Sequence, residues 1–350
     1  MNIGGYNLPN NVALAPMAGI TDLPFRKICR KLGAGYVVGE MVTSDPALYK
    51  SEKSRLRGVH LEEPSPRAIQ IVGWDPQILA DSARYNVDLG ASVIDINMGC
   101  PAKKICRRFA GSALLQDEAL VGRILDAVVA AVEVPVTLKI RTGVSPTQRN
   151  GLAIARIAES AGISCLAVHG RTRACKYNGI AEYETIKKIC SAVSIPVFAN
   201  GDINGFEQSA RVLRYTGADG IMIGRAAHGA PWLPGQIAKF LKSDVKPEDP
   251  EISLQSKIVL NHLEQIYSFY GSERGVRIAR KHIKWYTQDH SDSGSFRNAF
   301  NRVATPRQQL HITARYYLEI TERLQKTFAW QKRETKQRKQ IPNATALATV

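Results

Sequence analysis

The residue in this chain best placed to do chemistry is the thiol of Cys100, set between a glycine and a proline in Asn97-Met98-Gly99-Cys100-Pro101. That run closes the apolar, strand-like stretch Val93 to Ile96 and then turns at once on Gly99 and Pro101. A free cysteine is ordinarily a small core residue. One on backbone this irregular, at a strand end, is within reach of a reacting partner. With an ordinary pKa of about 8.5, such a thiol is mostly protonated at neutral pH and can serve as a general acid.

Other polar residues recur in the same setting, at the ends of apolar, β-rich segments. They are Pro16-Met17-Ala18-Gly19, Gln70, Lys139 with Arg141, His169 with Arg171, Asn200-Gly201-Asp202 and Gly224-Arg225. The strands that would carry them read as Val12–Met17, Tyr36–Met41, Ala68–Val72, Val93–Asn97, Val136–Ile140, Cys165–His169, Val197–Asn200 and Gly220–Ile223. Amphipathic helices are expected between several of them, at Pro76–Leu89, Asp117–Val132, Asn150–Ala161, Ala181–Ala192 and Gly205–Tyr215. No helix is assigned between the second and third strands. Eight strand–helix units in about 240 residues fit an α/β fold of the (β/α)8 TIM-barrel type better than an open sheet. In such a barrel the C-terminal strand ends surround one pocket, so residues far apart in sequence converge there. A lone lysine or histidine at a strand end is usually a surface or capping residue. So many strand exits decorated alike are not explained by packing.

Asn200-Gly201-Asp202 and Gly224-Arg225 follow the seventh and eighth strands, where barrels commonly hold phosphate. Glycine admits backbone N–H groups to the oxygens, and arginine adds a forked cation. No Gly-x-Gly-x-x-Gly follows a strand, so a dedicated dinucleotide domain is not expected. A mononucleotide across the barrel mouth is the remaining candidate, and FMN suits it. Lys139 would face the negative charge of a reduced flavin, and the Gln70 amide would pair with the polar edge of the ring.

The chain has 350 residues, 44% of them hydrophobic, enough for a substantial core and long enough for a large domain with an appendage. No eighteen-residue apolar stretch occurs and the N-terminus does not read as a signal peptide, so no membrane partner and a cytoplasmic location are expected. Six cysteines without a Cys-x-x-Cys pair argue against a metal cluster and for reduced thiols. The net charge is +16, and residues 271–350 hold 16 basic against 6 acidic side chains. Most of the excess therefore lies in less than a quarter of the chain, which points to a polyanionic partner. A polar, proline-rich stretch from Ser243 to Pro250 reads as a linker. The expected organisation is a catalytic barrel over residues 1–243, a helical domain over 251–328 and a basic, disordered tail over 329–350. Helices are read at Ile252–Tyr270, Arg274–Gln288 and Pro306–Phe328. On the second of these Arg274, Arg277, Lys281 and Lys284 share one face, opposite Val276, Ala279, Ile283 and Tyr286. Such a helix would pack by its apolar side and present a basic stripe to phosphates.

Together these segments resemble the bacterial tRNA-dihydrouridine synthases. The match is carried by Met17-Ala18-Gly19-Ile20-Thr21-Asp22, Asn97 to Pro101, Lys139-Ile140-Arg141-Thr142-Gly143, His169-Gly170-Arg171-Thr172-Arg173, Asn200-Gly201-Asp202-Ile203 and Gly224-Arg225. Ala102-Lys103-Lys104, Ala110-Gly111-Ser112-Ala113-Leu114-Leu115 and Arg280-Lys281-His282-Ile283-Lys284-Trp285-Tyr286 resemble the B-type subgroup, although Lys284 stands where that pattern leads one to expect glycine. The resemblance covers roughly residues 10–320. It implies a TIM barrel followed by a C-terminal helical domain that binds tRNA. It also implies FMN held by backbone at Pro16, Met17 and Ala18, by Gln70 and Lys139 around the ring, and by Asn200, Gly201, Asp202, Gly224 and Arg225 at the phosphate. His169 would lie close to the flavin. Cys100 is implied as the proton donor, with Asn97, Arg141 and Arg171 near the target uracil or its phosphates. The implied reaction is NADPH-driven reduction of the C5–C6 double bond of a D-loop uridine, position 17 by subgroup.

Such a reduction needs hydride at C6 and a proton at C5, and a uridine in folded RNA must be extruded to reach a barrel floor. NADPH and RNA would then use one site in turn. A monomer without an obligate protein partner is the default expectation. Two other readings fit parts of the sequence. A small-molecule pyrimidine flavin oxidoreductase, of the dihydroorotate or dihydropyrimidine dehydrogenase type, would use the same barrel but gives no reason for the basic helices. A non-catalytic tRNA-binding protein would need neither Cys100 nor Lys139.

Overall fold

The computed structural model describes residues 1–340, with side chains placed through residue 326. The chain divides into two compact units, Met1–Pro247 and Glu248–Val350, and the division falls inside the proline-rich stretch.

The first unit is a parallel barrel. Its strands are β1 (Val12–Leu14), β2 (Tyr36–Val37, resuming at Val42–Thr43), β3 (Ala68–Val72), β4 (Val93–Met98), β5 (Val136–Arg141), β6 (Cys165–His169), β7 (Val197–Asn200) and β8 (Gly220–Ile223). Each pairs in parallel with the next, and β8 pairs with β1 through Ile221↔Val12 and Met222↔Ala13. The Val38↔Ala68 bridge joins β2 to β3 where β2 is broken. The (β/α)8 expectation holds. Two strands differ from their reading by more than one residue: the first, read to Met17, ends at Leu14, and the second, read as continuous to Met41, is in two pieces because residues 39–41 leave the ladder.

Period-2 alternation sorts the side chains. Ile94, Ile96, Leu138, Ile140, Leu166 and Val168 join the large apolar layer between strands and helices. Ala13, Tyr36, Ala68, Val93, Cys165, Ala167, Phe198 and Met222 form a separate cluster with Ile3 and Leu8 from the N-terminal segment. The polar residues Gln70, Asp95, Asn97, Thr137, Lys139, Arg141 and Asn200 lie on the alternate positions of β3, β4, β5 and β7, and all are buried. Two of the outer helices, Pro76–Asp88 and Glu118–Val129, are capped by carboxylates: Asp75 accepts from Ile78 N at 2.9 Å and Asp117 from Leu120 N at 2.9 Å. A helix at Leu23–Lys31, which the sequence reading leaves out, starts the same way, with Asp22 accepting from Phe25 N at 3.0 Å and Pro24 in the first turn. Leu233–Ser243 and the short Glu52–Arg57 are further helices that the reading leaves out.

The second unit contains the helices Ile252–Tyr270, Ser272–Tyr286, Ser293–Arg302 and Pro306–Gln340. The last is longer than the Phe328 end read from sequence, and the final ten residues of the expected tail lie outside the described residues. Val276, Ala279, Ile283 and Tyr286 are each 5% exposed or less, so the apolar face read on a helical wheel is the packed face. Gln309, fully buried, ties three helices together: it accepts from Tyr267 Oη at 2.8 Å and donates to the carbonyls of Phe300 and Val276. No helix among the described residues is long and apolar enough to cross a membrane.

Candidate active site

Nearly all the strand-end residues singled out above line one cavity of about 800 Å³ in the first unit. Pro16, Met17, Ala18, Gln70, Asn97, Cys100, Lys139, Arg141, His169, Asn200, Gly201, Asp202, Gly224 and Arg225 all contribute to its wall. This size is typical of a cofactor or substrate site.

The thiol is positioned by a chain of hydrogen bonds that starts on the barrel floor. Asp95, 4% exposed, accepts from Thr137 Oγ1 at 2.6 Å and from Gln70 Nε2 at 2.7 Å. Gln70 Oε1 accepts from Asn97 Nδ2 at 2.7 Å, and Asn97 Oδ1 accepts from the backbone N–H groups of Cys100 at 2.9 Å and Gly99 at 3.2 Å. The pairing register explains the geometry, since Gln70 lies beside Asp95 and Asp95 beside Thr137 on adjacent strands. Gln70 keeps one N–H and one lone pair for a ligand. Burial pushes the Cys100 thiol pKa above its ordinary value, with a smaller raising effect from Cys106, against the lowering effects of Ala102 N–H, Arg141 and Lys139. Burial therefore favours the thiol over the thiolate.

The wall is strongly cationic. Lys139 is 9% exposed and donates one of its three hydrogens to Asn200 Oδ1 at 3.1 Å, and Asn200 in turn donates to the Met222 carbonyl at 2.7 Å. Burial, with Arg141 adding to it, lowers the Lys139 pKa to about 8. Arg141 is anchored to the carbonyls of Gly99 at 2.7 Å, Thr172 at 3.0 Å and Lys176 at 2.6 Å, and its guanidinium lies 5.4 Å from the Tyr177 ring centre. His169 is held neutral, its pKa lowered to about 2 by burial and then by Lys139, Arg141, Arg171 and Arg225. Its Nε2 faces Arg171 Nη1 at 3.4 Å; arginine can only donate, so the ring proton belongs on Nδ1.

Arg171, unlike every strand-end residue but Gly19, is not on the cavity wall. It is 3% exposed and its fork meets Asp202 twice, at 2.9 and 2.6 Å, while Nη2 also donates to the Gly179 carbonyl at 2.6 Å and Nε to the Asn178 carbonyl at 3.2 Å. It ties the loop after β6 to Asp202. Asp202 sits at a φ of +46° and also accepts from Arg225 Nη2 at 2.9 Å and Ala181 N at 2.9 Å. Arg225 itself is 58% exposed. Of the three residues of the first loop, Pro16 has no N–H and Met17 N donates to Thr21 Oγ1 at 2.8 Å, which leaves Ala18 as the backbone donor. At Gly201, φ is +122° and a Cβ would come within 2.9 Å of His169 Cδ2, so a side chain there would displace the imidazole.

Met41, Lys103, Lys176, Tyr177, Asn204 and His228 also line the cavity, and sequence reasoning gave none of them a role in the site. Tyr177 is the most telling, because Arg141 and Arg225 both lie within 6 Å of its ring. The four basic-stripe residues belong to the second unit. Arg277 and Lys284 are exposed, Arg274 lies 5.1 Å over the Tyr270 ring, and Lys281 and Lys284 line a groove of about 610 Å³ with Arg280 and Arg297.

Comparison with known proteins adds the family. A family model described as dihydrouridine synthase (Dus) matches residues 13–325. The tRNA-dihydrouridine synthase B of Pseudomonas aeruginosa is 56% identical, over 91% of this chain and 96% of its own. That of Xanthomonas axonopodis pv. citri is 55% identical over the same shares, and that of Pseudomonas syringae pv. tomato is 58% identical over 87% and 90%. Among solved structures, an oxidized active mutant of (S)-mandelate dehydrogenase aligns with 70% of this chain and 76% of its own, at 13% identity and a TM-score of 0.47.

Proposed function

The chain belongs to the dihydrouridine synthase family, and on that footing we propose that it reduces the C5–C6 double bond of a uridine in tRNA, using FMN in the barrel mouth, NADPH as reductant and Cys100 as proton donor. The observation that carries this reading is that Cys100, Lys139 and Arg225 share one cavity. The donor set suits FMN. Lys139 keeps two ammonium hydrogens for an anionic ring, Gln70 keeps one donor and one acceptor for its polar edge, Ala18 N–H is a backbone donor to the cofactor, and Gly201, Gly224 and Arg225 suit its phosphate.

When bound, FMN supplies the hydride that the uracil takes at C6. The protein's own part is acid catalysis and placement. Cys100 Sγ gives its proton to C5 and is re-protonated from solvent once the product has left. Asn97 and Arg141 flank the thiol: one anchors its backbone, and the other holds the Gly99 carbonyl. NADPH and RNA take turns at the one cavity, which calls for ping-pong kinetics. The RNA is gripped by the basic helix carrying Arg274, Arg277, Lys281 and Lys284. The substrate uridine is a D-loop residue, position 17.

A small-molecule pyrimidine oxidoreductase would need the barrel alone. The family match continues through residue 325, across the helical unit, and favours the RNA reading. The test is spectroscopic. The purified protein should be yellow, bleach with NADPH, and regain its colour on addition of unmodified tRNA as dihydrouridine forms. A colourless protein that binds tRNA would overturn the flavin reading.

A further inference from the structure

We propose that residues 102–110, the segment immediately after Cys100, form a second RNA contact in which Phe109 stacks in the gap left by the extruded uridine. This rests on the tRNA reading above and adds to it a surface within the catalytic unit. The segment carries Lys103, Lys104, Arg107 and Arg108, all exposed, and no carboxylate lies between Cys100 and Asp117. Arg108 has a long contact with Asp45 at 3.9 Å. Lys103 lines the cavity, so the basic surface is continuous with the site of chemistry.

Phe109 is the anomaly. It is 72% exposed, and it sits at a φ of +55°, a region that bulky L-residues rarely occupy. An exposed phenylalanine alone is unremarkable. One held in a strained conformation, among four cations and nine residues along the chain from Cys100, indicates a side chain retained for contact. The anchoring is specific. The Cys100 carbonyl accepts from Ser112 N at 3.0 Å, Ser112 Oγ at 2.9 Å and Cys106 Sγ at 3.5 Å. Gly111, at a φ of +61°, lets the returning chain pass against that carbonyl, because a Cβ there would lie 2.8 Å from it. Phe109 is thus displayed from a loop whose other end carries the thiol. Cations that follow a sugar-phosphate backbone, with one apolar ring to fill a vacated stack, match a strand from which a single base has been flipped out.

The test compares wild type, Phe109→Ala, Phe109→Trp and the charge reversal Lys104→Glu/Arg107→Glu in full-length protein. It measures tRNA binding across a salt series and single-turnover dihydrouridine formation. All four should melt at the same temperature. The double reversal should flatten the salt slope by about two, roughly one per lost phosphate contact. Phe109→Ala should slow single-turnover reduction by roughly 10-fold or more, the scale of one aromatic–base stack, and Phe109→Trp should restore it. An unchanged salt slope, or Phe109→Ala reacting as fast as wild type, would overturn the proposal. So would a double reversal that loses binding to phosphatidylserine vesicles but not to tRNA, since the surface would then be a membrane contact. If wild type and variants differ in tRNA binding as stated while no protein makes dihydrouridine, the surface stands and the uridine chemistry fails.

Discussion

Asp95 accepts from Gln70, Oδ2 from Nε2 at 2.7 Å, and this contact sets the direction of every amide between the barrel floor and the thiol. A carboxylate can only accept, so Gln70 must turn its Nε2 toward Asp95 and its Oε1 toward Asn97. Asn97 must then present Nδ2 to Gln70 and Oδ1 to the backbone of Gly99 and Cys100. Asp95→Asn removes the constraint, because an amide at that position can donate as well as accept. The variant should lose about 10-fold in kcat, the scale of one mis-set hydrogen bond, with KM for tRNA within twofold. Wild-type kinetics would mean that amide polarity does not matter to the reaction.

Burial raises the Cys100 pKa above that of an ordinary thiol, and in the proposed mechanism the protonated form is the acid. The reduction rate should therefore stay flat across neutral and mildly alkaline pH, and fall only as pH rises through that elevated value. Single-turnover rates on tRNA from pH 6 to pH 10 would check this. A decline centred below pH 7 would mean that another group supplies the proton.

Lys139 loses stability for the fold in exchange for a placed cation. Its folded pKa is about 8, against 10.5 for a free lysine, so the unfolded chain holds the proton more tightly. Stability contributed by this site rises with pH between those two values, and at pH 7 the charged side chain costs roughly 3 kcal/mol. Lys139→Met should raise the melting temperature of the cofactor-free protein by several degrees at pH 7, with the gain shrinking toward pH 10, while weakening retention of FMN. A lower melting temperature would contradict the burial cost.

Arg171→Lys keeps the charge but cannot form the fork to Asp202 or reach the carbonyls of Asn178 and Gly179 together. The loop that carries Lys176 and Tyr177 into the cavity should loosen. The expected signs are a stability loss of about 2 kcal/mol and faster tryptic cleavage after Lys176. An unchanged cleavage rate would show that the loop is held by other contacts.

The strand-end motifs were legible in sequence because each couples a short apolar run to glycine or proline punctuation, and four of the eight strands begin and end where they were read, Ala68–Val72 and Val197–Asn200 among them. The basic helix was legible from period alone, since burial of Val276, Ala279, Ile283 and Tyr286 follows the 3.6-residue repeat. Tyr177 was not legible. It lies in an irregular loop whose path is dictated by Arg171 donating to carbonyls seven and eight residues away, and no local pattern records such bonds. The helix at Leu23–Lys31 carries a sequence signal of its own, Asp22 as N-cap with Pro24 behind it. Asp95 has no local signal of its own, because only the strand register sets it beside Gln70 and Thr137.

The central claim is that the sulfur of Cys100 gives the proton to C5. Cys100→Ala tests it most directly, in single-turnover reduction of unmodified tRNA with NADPH consumption followed in parallel. Dihydrouridine formation should fall by about 100-fold or more, the usual contribution of a positioned acid, while NADPH oxidation without tRNA proceeds at the wild-type rate. Product formed by Cys100→Ala at the wild-type rate would contradict the assignment.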